Sequence, residues 1–177
     1  MIRFTLLLTS ALAMTPAGAG AHLDGCWISA ADDSVIELSR QGDAVRGRVV
    51  GLAEPVFLEG EGRGTPGEPR VDLNNPDIEL RARALAGLYI VDELRRDGDA
   101  WEDGAIYDPR TGKSYSARAE LDADGTLRIR GYVGLPMFGI TTRWTSADTE
   151  RIAALAMIDK LAPYMPADAP PPDCFDI

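Results

Sequence analysis

Gly112-Lys113-Ser114 is the stretch of this chain that looks most like a reactive motif, because a Gly-Lys-Ser tail ends the loop that cradles nucleotide phosphates. That loop also needs a glycine five residues before Gly112, where this chain has Tyr107. It needs a helix after the lysine, whose first amides hold the phosphate. The lysine here leads instead into "SYSARAELD", which alternates as a strand does. "YDPRTGKSY" is therefore read as a hairpin turn and not as a nucleotide site.

Other constellations fall to similar counts. The one histidine, His22, cannot build a Ser-His-Asp or Cys-His arrangement, and with two cysteines it cannot supply a zinc site. Asp122-Ala123-Asp124-Gly125 resembles the start of a calcium loop, but the distal glutamate has no counterpart. The carboxylates Asp72 with Asp77, and Glu102 with Asp103, have the right chemistry for acid/base hydrolysis. Nothing sets either pair apart from solvated loop residues, and Arg81 and Arg83 stand by as salt-bridge partners. No metal, no cofactor and no enzyme activity is expected.

The elements that must position any site are short strands. Eight segments near residues 25–30, 34–39, 44–52, 88–95, 100–107, 113–122, 126–133 and 140–146 alternate apolar and polar residues. Turn signals such as Asp97-Gly98-Asp99 and Asp124-Gly125 separate them. In "SYSARAELDADGTLRIRGYV" a three-residue loop with a left-handed Gly125 pairs Asp122 with Thr126. That register sets Ala119 against Ile129, Glu120 against Arg128, and Arg118 against Arg130, the last unfavourable without a nearby carboxylate.

Eight consecutive antiparallel strands with one apolar face gain most by closing, which removes exposed edges. A membrane-spanning barrel is excluded by heavily charged outer faces, since each Arg on a lipid face costs roughly 2–4 kcal/mol near the midplane. The expected fold is all-β, an eight-stranded antiparallel up-and-down barrel of lipocalin size over residues 22–146. Residues 53–87 interrupt it as a long insertion in which Asn75 is the expected N-cap of a short helix. A C-terminal helix over residues 146–161, capped by Asp148 or Thr149, presents Ile152, Leu155, Ile158 and Leu161. A Pro-rich tail ends the 147–177 region.

Residues 1–21 read as a cleaved leader. Arg3 is followed by the 11-residue mostly apolar run from Phe4 to Met14, then by small residues ending at Ala21. That run is short of the roughly 20 residues a spanning helix needs. Leu23-Asp24-Gly25-Cys26 is a rival lipidation signal, weakened by Asp24 and by the distance to the apolar run. Export to the periplasm makes one disulfide, Cys26 with Cys174, the natural use of two cysteines. The formal net charge of −10 argues against nucleic acid and anionic membrane surfaces as partners.

Gly25-Cys26-Trp27 resembles the Gly-x-Trp signature of lipocalins, whose tryptophan packs at the closed barrel end beneath an arginine; Arg143 is the candidate for that arginine, next to Trp144. A wider resemblance is to the bacterial family known as domain of unknown function 2147, over residues 25–146. It is carried by "GCW", "DLNNPDIELRARALAGL", "WEDGAIYDPRTGKSYSA" and "LRIRGYVGLPMFGITTRW". The chain departs from the family's pattern at Gln41 and Arg46, where two cysteines are common, and at Ser146, where an arginine is common. The resemblance implies a lipocalin-like envelope barrel with no established activity.

Two functions stand as expectations. In the first, the barrel holds a small apolar or amphipathic ligand, with small Ala117, Ala119 and Gly131 leaving room. The ligand-facing candidates are Asp72, Asn75, Arg81, Trp101, Tyr107, Tyr115 and Tyr132, with Gly25, Trp27, Arg143 and Trp144 as structural residues. In the second, the interior fills itself and the chain is an envelope interaction module that contacts another protein.

Overall fold

A computed structural model describes residues 22–175. The leader read at residues 1–21 lies outside the described residues. Eight strands, β1 (Gly25–Ile28), β2 (Ser34–Gln41), β3 (Ala44–Leu52), β4 (Tyr89–Asp97), β5 (Ala100–Asp108), β6 (Lys113–Leu121), β7 (Leu127–Tyr132) and β8 (Ile140–Ser146), succeed one another round a closed antiparallel barrel. β8 pairs back onto β1 through Trp27 with Ser146 and Ile28 with Thr145. The β6–β7 hairpin takes the expected register, Ala119 opposite Ile129, Glu120 opposite Arg128 and Arg118 opposite Arg130. The like-charged pair is relieved because Arg118 meets Glu102 and Glu120, while Arg130 donates to Thr141 Oγ1 at 2.8 Å.

Up-and-down topology puts the turns after β1, β3, β5 and β7 at one end and the others at the opposite end. The second end is packed solid. Leu23, Trp27, Leu38, Val45, Leu94, Trp101 and Leu127 are buried there in one cluster. Trp27 Nε1 donates to the Leu23 carbonyl at 2.9 Å. Arg143 is exposed on the outer face opposite Arg128 and does not cover Trp27. On β8 it alternates with the inward Trp144, so it must point out. A different arginine meets a different tryptophan: the Arg96 guanidinium lies 4.7 Å from the Trp101 ring centroid. Ala117 and Ala119 belong to this packed core, where their small size admits the neighbouring bulky rings.

The C-terminal helix, α1 (Arg151–Leu161), begins later than expected. Glu150 is its N-cap and no side chain caps it. It buries Ala154, Met157 and Leu161, whereas Ile152 is 88% and Leu155 39% exposed. The reason is rotation. At about 100° per residue, Ile152 and Leu161 stand on opposite sides of a helix, while Ala154 and Leu161 share one. α1 lies close on the outside of the barrel: a Cβ on Gly51 would sit 3.1 Å from the Ile158 backbone nitrogen.

Beyond α1 the tail is strapped to β2 and β3. Cys174 is bonded to Cys26, with Cα atoms 5.0 Å apart. The cysteine that resembles a lipidation site is thus committed to a disulfide. Beneath the strap lies a buried cross-strand pair: Arg48 Nε donates to Glu37 at 2.5 Å. Arg48 also donates to the Pro170 carbonyl at 2.9 Å, and Glu37 accepts the Asp173 amide at 2.6 Å.

Candidate functional site

At the end opposite the packed core the barrel is hollow. The strand positions that face the void include Ile36, Val49, Ile90, Ile106, Ile129 and Gly131, the isoleucines and the valine lying on the edge of the packed core. They enclose a cavity of about 970 Å³, with Trp144 among its walls. The insertion contributes Phe57, Val71, Leu73 and Leu85. The walls are largely apolar because each strand alternates, and Trp27 and Trp101 lie toward the other end.

The insertion is held over this mouth by polar contacts. Bridges between Val56 and Pro69 and between Val71 and Ala84 fold it back on itself. Asn74 Nδ2 donates to the Pro109 and Arg110 carbonyls of the β5–β6 turn at 3.0 and 2.9 Å. A Cβ on Gly112 would come within 1.8 Å of the Asn74 carbonyl oxygen, and Gly112 has φ of +69°. The glycine of the false phosphate motif is therefore the seat on which the insertion rests.

Asp72 is the hub of the insertion. Its carboxylate is fully buried. It accepts from the Tyr107 hydroxyl at 2.7 Å, from Asn75 Nδ2 at 2.8 Å and from Arg83 Nε at 2.9 Å. A buried carboxylate without such partners would be severely penalised, and here its oxygens are fully engaged. Burial first, and then the Asp72 carboxylate, push the Tyr107 hydroxyl above its ordinary pKa. The phenol therefore stays protonated and serves as a donor, not a base. Asn75 does not cap a helix as expected. Its side chain is drawn inward to Asp72 and Tyr107, its Oδ1 accepts the Asp77 amide, and Asp77 caps the short 3₁₀ helix Ile78–Leu80.

The fold brings Asp72, Asn75 and Tyr107 into one network, with Arg81 attached through its Nε to the Asn75 carbonyl at 2.8 Å. Tyr107 borders the main cavity and also a second, smaller one of about 560 Å³. Tyr115 and Tyr132 border the main cavity. Trp101 does not: it is 1% exposed in the packed end. Gly25, at φ of +127°, opens β1, and Trp27 anchors the packed end.

Sequence reasoning missed the aliphatic walls and the Glu37–Arg48 pair. The walls were present as alternation, but which half of a strand faces a void is set by what fills the other half. The Glu37–Arg48 pair had no local signal, because its burial comes from the tail more than 120 residues away.

At the rim, Arg70 grips Glu61 through two hydrogen bonds of 2.6 and 2.9 Å, which hold the Glu61 carboxyl below its usual range. Arg63 and Arg110 lie on the same rim, with Arg110 72% exposed at its side chain. The arrangement is an apolar chamber with phenols in its wall and a lip of mixed charge, where Arg63, Arg70 and Arg110 stand among Asp33, Glu54, Glu61 and Asp108. Among the described residues no group of three or more His, Cys, Asp or Glu side chains is placed to hold a metal ion. None of the helices described is long and apolar enough to cross a membrane.

Among solved structures, the chain is similar to protein HP1028 from the human pathogen Helicobacter pylori, described as belonging to the lipocalin family. The TM-score is 0.58 at 18% identity, over 79% of this chain and 97% of that one. At that identity the likeness speaks for the fold. No curated protein matches the chain. The family described as "uncharacterized protein conserved in bacteria" (DUF2147) matches residues 25–146, from the first residue of β1 to the last of β8, and the chain belongs to that family.

Proposed function

We propose that this chain is an exported, periplasmic carrier that holds a small apolar or amphipathic ligand in the open half of its barrel. The observation that carries the reading is the cavity of about 970 Å³. Cavities of roughly 300–1,000 Å³ are the size that enclose small organic ligands. Aliphatic walls suit a hydrocarbon tail. The rim, where Arg63 and Arg110 stand among Asp33, Glu54 and Asp108, suits a polar head. The lipocalin assignment of the Helicobacter pylori neighbour supports a ligand-holding barrel. Export is supported by the leader-like start of the sequence and by the Cys26–Cys174 bond, which persists best in an oxidising compartment. A filled barrel acting only as an interaction module fits less well, because the open half is not filled.

Gly131 offers a direct test. It lines the cavity, and a Cβ there would meet only ordinary contacts at 3.5 Å from Ile106 and Tyr115. Gly131→Phe should project a ring into the chamber, lower the affinity for an apolar fluorescent dye at least tenfold and leave the melting temperature within a few degrees. Undiminished dye binding by the folded variant would overturn the reading.

A further inference from the structure

The loop between β7 and β8 carries a surface that ligand holding does not require. Val133, Leu135, Met137, Phe138 and Ile140 are between 59 and 77% exposed, side by side at the cavity mouth. From Gly131 to Thr142 no residue is charged, in a chain where 26% of residues are. A loop that meets only water has no reason to combine these properties, since exposed apolar patches mark contact surfaces. Val133, Phe138 and Ile140 also line the cavity, so apolar surface runs unbroken from the lip to the interior.

The backbone of the loop identifies the contact. Phe138 N–H donates to the Leu135 carbonyl and Gly139 N–H to the Pro136 carbonyl, in the turn Pro136–Phe138. Pro136 has no N–H to satisfy. Arg130 reaches up from β7, Nε to the Pro136 carbonyl at 2.6 Å and Nη2 to the Met137 carbonyl at 3.2 Å. The Leu135, Pro136 and Met137 carbonyls and the Phe138 and Gly139 amides are thus paired within the loop, while the apolar side chains of the tip are exposed. Hydrocarbon cannot offer hydrogen bonds, so internal pairing is what entry into lipid demands. Tyr132 and Arg130 stand at the foot of the loop, where an amphipathic ring and a guanidinium suit the headgroup layer. A second copy of the chain fits worse, because each carries a net charge of −10.

We infer that the β7–β8 lip dips into the hydrocarbon edge of a lipid bilayer, seating the cavity mouth on the membrane surface. The contact stands apart from ligand holding, because it uses Leu135 and Met137, which do not line the cavity. It is apolar in origin, so zwitterionic vesicles should bind and salt should matter little.

The test places a reporter at the tip in the protein recovered after periplasmic expression of the full chain. The native tryptophans are all buried, so Met137→Trp reports on the lip. With phosphatidylcholine and phosphatidylethanolamine vesicles its emission should shift to the blue and be quenched by lipids brominated on the acyl chains. Leu135→Ser with Met137→Ser should cut vesicle co-sedimentation at least tenfold while dye binding in the cavity is kept. A tryptophan that stays water-exposed with every vesicle would overturn the inference. So would binding confined to anionic vesicles and lost in salt, or a dimer that the serine variant dissolves.

Discussion

At the scale of single residues, Asp72 decides whether the mouth of the barrel has a fixed shape. A fully buried carboxylate is retained only because Tyr107, Asn75 and Arg83 converge on it from a strand and two parts of the insertion. Asp72→Ala should cost at least about 1.5–3 kcal/mol, the worth of a single hydrogen bond to a charged group, read from the urea midpoint. Limited proteolysis should then cut within residues 53–87 while the barrel stays whole. Concerted loss of the whole fold would instead make Asp72 part of the barrel's own core. In the sequence Asp72 and Asn75 stand in one run of the family resemblance and Tyr107 in another, and the fold joins them. Trp101 reads as ligand-facing in the sequence, but a tryptophan on an alternating strand looks the same at either end of a barrel. Only the packing of Leu94 and Leu127 beside it tells the ends apart.

At the scale of elements, the strands are legible and the connections less so. Alternation and turn residues fix each strand to within two residues of its observed ends, because period and punctuation are local properties. The helix face is harder to read because apolar residues at strict spacing three spiral round the axis. Ala154, too small to stand out, makes the contact in place of Ile152 and Leu155. The Cys26–Cys174 staple accords with composition and compartment, yet its setting over the Glu37–Arg48 pair does not show in either. With its ends 148 positions apart, it limits the unfolded chain by up to about 5 kcal/mol on the loop-entropy argument. Cys26→Ser should lower the melting temperature under non-reducing conditions by many degrees and free the tail to protease. An unchanged melting temperature would show that the Arg48 and Glu37 contacts hold the tail without the bond.

At the scale of the molecule, the barrel is two unlike halves. Trp27, Trp101 and leucines fill one, and isoleucines, valines and a few aromatic rings line a void in the other, covered by an insertion that rests on Gly112. An eight-stranded barrel can just fill itself with side chains or just leave room for one small ligand, and this one is filled toward one end and hollow toward the other. Pattern alone could give the barrel but not the void, since small residues such as Ala117 and Ala119 went to the packed half and Gly131 to the open one. The most direct measurement is native mass spectrometry of the protein from periplasmic expression, before and after organic extraction. The account predicts a non-covalent, lipid-sized mass that extraction removes and that Gly131→Phe lacks. The same bare mass before and after extraction, together with failure to take up any added amphiphile, would contradict it.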